Sequence, residues 1–126
     1  MKNEKDVKTR VKKLLDKHGY FWWMPPANGY GKAGISDFHA LKAGVFLAIE
    51  TKFGSNKPTI LQVGFLNSIR QEQGFAFAVN EKTIEWFAKW LQAFDNAAEA
   101  VGSHKAVESQ DGADMLDAIA ALTELI

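Results

Sequence analysis

Ile35-Ser36-Asp37-Phe38-His39-Ala40-Leu41 and Val45-Phe46-Leu47-Ala48-Ile49-Glu50-Thr51-Lys52 are joined by Lys42-Ala43-Gly44. Both runs are short and apolar-rich, and the Gly-containing junction is a turn signal, so the stretch predicts two strands joined by a tight turn. Upstream, Pro25 to Gly34 holds two prolines and three glycines and predicts a loop. Tyr20 to Met24, aromatic and brief, predicts another strand. Ahead of it Val7, Val11, Leu14 and Leu15 recur at helical spacing, with Asn3 as cap and Gly19 as stop.

Downstream, Phe53 to Pro58 predicts a second loop. Leu61, Phe65, Leu66 and Ile69 then form a helical stripe that ends at Gly74. Phe75 to Val79 predicts a buried strand, and Asn80 opens a helix carrying Ile84, Trp86, Phe87, Trp90, Leu91 and Phe94. The order αβββαβα defines an α/β domain over residues 1–95, a mixed sheet flanked by helices. Residues 96–112, rich in Ala, Ser and Gly, are expected to be a linker. Met115, Leu116, Ile119, Leu122 and Ile126 give residues 113–126 the stripe of a short amphipathic helix.

Length and composition bound the function. A chain of 126 residues supplies one domain. Without cysteine it has no disulfide, thiolate metal site or cysteine nucleophile, a composition that fits the cytoplasm. The N-terminus lacks the apolar segment of a secretory signal, and Val45–Ile49 is far short of the roughly 20 residues of a membrane span. The formal net charge is zero, but its distribution is not uniform. Residues 1–70 hold twelve Lys and Arg against five Asp and Glu, and residues 71–126 hold three against ten. Such a split can present a positive face to phosphates, though charge runs also serve as solvated helix faces.

The chemistry sits in Gly34-Ile35-Ser36-Asp37, Ile49-Glu50-Thr51-Lys52 and Gln62. Alternation along a strand puts Glu50 and Lys52 on one face and Thr51 on the other. A hairpin of the two runs brings Asp37 near Glu50. Two carboxylates about 4 Å apart repel by about 4 kcal/mol at an effective dielectric near 20. A divalent cation turns that repulsion into binding, and hard oxygen ligands select Mg²⁺, with Mn²⁺ as a substitute. Such a site suits phosphodiester hydrolysis, with Lys52 orienting water or neutralising charge at phosphorus. A Glu-x-Lys pair also decorates solvated strand faces, but here it ends an almost wholly apolar run.

Gly-x-x-Asp, a Gly turn, a strand ending Ile-Glu-Thr-Lys, a loop, and Thr-x-x-Gln opening a helix together resemble the VRR-NUC family. That family is a branch of the PD-(D/E)XK nucleases whose small members often come from phages, and the resemblance covers about residues 4–80. It implies a restriction-endonuclease-like core and metal ligation by Asp37, Glu50 and the Thr51 carbonyl. It also implies catalytic roles for Asp37, Glu50, Lys52 and Gln62, the last holding lysine, water or substrate. Relatives commonly bring a first-helix glutamate to the metal, and Glu4 matches it; an acidic residue in a first helical turn is equally favoured by the helix dipole. The usual proline before the aspartate is Ser36 here, a change that bears on backbone shape.

Other signals carry less. Gly29 to Gly34 fits a dinucleotide pattern by letter, but it follows a Pro-Pro loop and opens a strand, so no nucleotide cofactor is expected. His39 shares strand parity with Asp37, and the expectation is a surface histidine. Trp22, Trp23, Trp86 and Trp90 are expected in the core, with base stacking as the other use. The sequence therefore predicts a Mg²⁺-dependent endonuclease acting on DNA, with Lys32, Lys57 and the first-helix lysines on phosphates and branched DNA such as a four-way junction as substrate. A homodimer with 113–126 at its contact is expected, the other placement of that helix being on its own domain over the Trp86 and Trp90 face, in the cytoplasm of a bacterium or a phage-infected cell. The alternative is a catalytically silent DNA-binding or assembly module on the same fold.

Overall fold

The computed structural model of the protein describes residues 1–26 and 33–105, with side chains through residue 97. Lys32 and the predicted helix 113–126 lie outside the described residues. The chain divides into two compact units, Met1–Gln92 and Ala93–Ile126.

Helix α1 (Glu4–Lys17) begins where the Asn3 side chain accepts the Asp6 N–H at 3.0 Å. It ends at Gly19, whose φ of 71° lets its own N–H reach the Asp16 carbonyl and the Tyr20 N–H reach that of Leu15. That double bond pattern satisfies carbonyls the helix leaves open, and a left-handed residue there favours glycine. Strands β1 (Phe21–Trp23), β2 (Phe38–Lys42) and β3 (Val45–Thr51) form an antiparallel meander. Ala43 and Gly44 both adopt positive φ, which matches the turn to the right-handed twist of the strands. Helix α2 (Ile60–Gln71) then carries the chain to β4 (Phe75–Val79), which pairs parallel with β3. The sheet is thus mixed, in the order β1-β2-β3-β4. Helix α3 (Ile84–Lys105) follows.

Side-chain alternation assigns the layers. Trp22, paired with Ala40, donates its ring N–H to Asp16 of α1 at 2.7 Å and packs on Phe38. Phe77 on β4 packs its ring against Phe87 and Trp90 of α3. Helices α1 and α3 therefore cover this face, and Arg10 pairs with Glu85 between them at 3.5 Å. Its core of Val7, Val11, Leu15, Phe38, Leu47, Ile49, Phe87 and Leu91 is fully buried. Each such aliphatic or aromatic side chain contributes about 2 kcal/mol on burial. The opposite face is thinner: Ala48 and Ala76 receive Leu66 of α2, with Phe46, Phe65 and Ile69 around them.

Four sequence expectations are corrected. Strand β2 starts at Phe38 and not Ile35, because the Asp37 side chain takes the Thr51 N–H in place of a backbone ladder bond. The α2 stripe is only partly inward: Leu66 is buried against Ala48 and Ala76, whereas Leu61 is 61 % exposed. Trp86 has its ring against Phe77 but remains 59 % exposed at the margin of the core. Residues 96–105, expected in the linker, continue α3. Alanine, the strongest helix former, occupies positions 97, 98 and 100 there.

Gly34 fixes how α2 approaches the hairpin. Its φ is 75°, and a Cβ on it would lie 2.3 Å from the Leu61 carbonyl. Gly54, with φ 64°, has nothing within 4 Å of such a Cβ. Gly54→Ala should therefore cost only the left-handed strain, about 1 kcal/mol, whereas Gly34→Ala should cost about 3 kcal/mol or more. Urea unfolding of both variants checks this, and equal losses would mean that the contact with α2 carries no weight.

Candidate functional site

The register of the hairpin decides what meets at its open end. Phe38 pairs with Ile49, so one step further places Asp37 opposite Glu50. Backbone pairing stops there because the Asp37 side chain takes over. Its Oδ2 accepts the Thr51 N–H at 2.8 Å and the Thr51 hydroxyl at 2.7 Å. Ser36 is buried and donates its hydroxyl to the Phe38 carbonyl at 3.3 Å, shaping the bend that aims Asp37. In extended backbone the N–H and C=O of one residue point the same way, so the Thr51 carbonyl is turned to the Asp37 side.

Glu50 is the penultimate residue of β3 and only 2 % exposed. Its Oε1 accepts from Gln62 Nε2 at 2.9 Å and lies 3.4 Å from Lys52 Nζ. Its Oε2 is buried with no hydrogen-bond partner among the described residues. Burial first, and the neighbouring Asp37 carboxylate second, push its pKa up to about 7, while Lys52 pulls against them. Lys52 follows directly after β3, held by its N–H on the Val79 carbonyl at 2.9 Å. As strand alternation predicts, it shares the face of Glu50.

Gln62 owes its position to the start of α2. Thr59 caps the helix by accepting the Gln62 N–H at 3.2 Å, and the Gln62 side-chain oxygen accepts the Thr59 N–H at 2.9 Å. This reciprocal capping box uses the amide oxygen and leaves the amide nitrogen for Glu50. One side chain thus caps the helix and fastens it to the carboxylate.

Glu4 is not gathered with the two carboxylates directly. It pairs with Lys8 at 3.4 Å, and Lys8 Nζ lies 3.7 Å from Asp37 Oδ1. Lys8, expected among the phosphate-binding lysines of the first helix, is instead a neighbour of Asp37, a contact whose signal was its i,i+4 spacing from Glu4. Lys57 is exposed on the loop before α2, and Lys32 falls outside the described residues. His39 does not reach the site, nor is it a free surface residue. It stacks on Phe65 at 5.6 Å beside Trp23 and Phe46, and burial lowers its pKa, which favours the neutral ring.

Among the described residues, no three His, Cys, Asp or Glu side chains are grouped to hold a metal ion between them. The donors present are one oxygen of Asp37, the unpartnered oxygen of Glu50 and the Thr51 carbonyl. Mg²⁺ keeps several of its waters and is commonly bound through one or two carboxylates, so this donor set fits it. The orphaned Oε2 is the atom that gains most from a cation, because a buried carboxylate oxygen without a partner is costly. No family model matches the sequence, and no curated protein does.

The raised pKa of Glu50 has a defined effect on stability. Its folded value, about 7, exceeds the ordinary 4.5, so folding favours the protonated form. That stabilisation is complete below pH 4.5 and is lost as pH rises through 7. Without divalent metal, the parent should lose about 2 kcal/mol from this group between about pH 5.5 and pH 8. Glu50→Gln should lack that component and exceed the parent in stability at about pH 8. Denaturant unfolding at both pH values measures it; parallel pH slopes for parent and variant would show that Glu50 ionises normally.

Proposed function

We propose that the chain is a Mg²⁺-dependent endodeoxyribonuclease on a restriction-endonuclease-like frame, as the VRR-NUC resemblance implies. The observation that carries this reading is the buried Glu50. Lys52 and Gln62 converge on one of its oxygens, the other has no hydrogen-bond partner among the described residues, and Asp37 stands beside it. Asp37, Glu50 and the Thr51 carbonyl would hold the metal, which supplies Lewis-acid polarisation of a phosphodiester and a water of lowered pKa. Lys52 lies on the Glu50 side of the site and would orient the water or offset charge growing on phosphate oxygens. Gln62 would keep the Glu50 carboxylate in one rotamer while the reaction proceeds.

Phosphate contacts by Lys32, Lys57 and the lysines of α1 carry no sequence code, which favours recognition by DNA shape and makes branched DNA the leading substrate. No helix among the described residues is long and apolar enough to cross a membrane. The alternative, a silent binding module, predicts DNA affinity without turnover.

Linear, nicked, flapped and four-way DNA, each with and without Mg²⁺, test the reading. Cleavage of at least one substrate that depends on Mg²⁺ is expected. Lys52→Ala should lower the cleavage rate by roughly 10²-fold or more, with fold and DNA affinity largely kept. A variant retaining above about a tenth of the parent rate would remove Lys52 from the chemistry.

A homodimer belongs to the same proposal, because two related sites cut both strands of a duplex. Its support among the described residues is three exposed aliphatic side chains in the first turn of α2, with Ile60 at 90 %, Leu61 at 61 % and Val63 at 43 % exposure, which suits a contact surface. Sedimentation equilibrium of the full chain should give a dimer, and Leu61→Asp should shift it toward monomer. A full-length monomer ends the dimer proposal.

A further inference from the structure

Asp37 divides its two oxygens between different tasks. Oδ2 is fixed to the sheet by the N–H and hydroxyl of Thr51. Oδ1 faces Lys8, whose ammonium lies 3.7 Å away and whose other partner is Glu4 at 3.4 Å. Both distances exceed the roughly 2.7–2.9 Å of charge-assisted hydrogen bonds, so the ammonium is held by charge and not locked by geometry. Its side chain is 30 % exposed, on a flexible four-carbon stem that can swing without moving α1. A divalent ion held by Asp37 and Glu50 would compete with Lys8 for the Asp37 carboxylate.

We infer that Lys8 is the resident counter-cation of Asp37, displaced when the divalent ion binds, and that the displaced ammonium becomes a phosphate contact beside the metal. The inference rests on the metal-dependent reading given above. Glu4, one helical turn before Lys8, keeps the displaced ammonium at the mouth of the site. Lys52 attends the other carboxylate, 3.4 Å from Glu50 Oε1. The two lysines thus flank the carboxylates from α1 and from the end of β3. A phosphodiester reaching the metal would meet a cation on each side.

Mn²⁺ titration calorimetry on the full-length chain, as parent, Lys8→Gln, Lys8→Arg and Asp37→Asn, tests the displacement. Removing a competing cation should tighten Mn²⁺ binding by about three- to fivefold in Lys8→Gln, the scale of a partly exposed ion pair. Lys8→Arg should stay near the parent, and Asp37→Asn should bind far more weakly. DNA affinity in a Lys52→Ala background with Mg²⁺ should fall when Lys8→Gln is added, and its salt slope should drop by about one.

Mn²⁺ affinity in Lys8→Gln equal to or below the parent's overturns the displacement. Unchanged DNA affinity and salt slope overturn the phosphate contact. If parent and Asp37→Asn bind Mn²⁺ equally poorly, the metal-dependent reading fails and takes this inference with it. If only Asp37→Asn loses the ion while Lys8→Gln matches the parent, the inference about Lys8 fails alone.

Discussion

Glu50 is carried into the protein by the strand that also builds the core. Leu47 and Ile49 of β3 are fully buried on one face, Ala48 on the other, and the same run delivers Glu50 to 2 % exposure. Taking a carboxylate out of water costs several kcal/mol unless its oxygens find partners. Gln62 and Lys52 attend one oxygen and leave the other without a hydrogen bond among the described residues. The structure therefore holds a group in a state that is unfavourable for the chain alone, and the well-packed face beneath α1 and α3 offsets it.

Each neighbour of Glu50 is positioned by a feature with an independent local cause. The two-residue turn with positive φ at Ala43 and Gly44 sets the register, and the register sets Asp37 opposite Glu50. Asp37 is then restrained by Thr51, the residue after Glu50, so the two carboxylates are locked to one piece of backbone. The capping box of α2 orients Gln62, and Gly34 lets α2 come close enough for Gln62 to reach. Turn chemistry, capping and close backbone approach all point to the same few cubic ångströms. Agreement between local and tertiary preferences of this kind specifies a geometry rather than merely permitting it.

The hairpin, the helix caps at Asn3 and Gly19 and the parity of Glu50 with Lys52 were legible in the sequence, because each depends on contacts close along the chain. What escaped depends on tertiary context. Asp37 ends β2 early by replacing ladder bonds with side-chain bonds, an outcome visible only once Thr51 lies alongside. The stripe Leu61, Phe65, Leu66 and Ile69 has helical period but meets a sheet face that covers chiefly Leu66. Periodicity shows that a face is apolar without showing what covers it. His39 alternates as a surface residue would, yet Phe65, from another element, stacks on it. Thr59-x-x-Gln62 contained the signal for the capping box, but its link to Glu50 required α2 and β3 to be brought together.

These energetics also bear on the choice between a working enzyme and a silent module. In a protein that only binds or scaffolds, glutamine at position 50 would keep an acceptor for Gln62 and remove the buried charge. An apolar residue there would extend the core of β3. Replacing buried ionised groups with well-packed neutral ones is often neutral or stabilising by about 1–4 kcal/mol. Asp37 beside Glu50 adds repulsion to desolvation, and both push the Glu50 carboxyl toward its neutral form. Against that, two separate elements hold the pair in place: β3 through Thr51, and the first turn of α2 through Gln62. Precise support for an unfavourable charge has a physical rationale when the missing stabilisation arrives with a ligand, which is what the proposed divalent cation would supply to hard carboxylate oxygens.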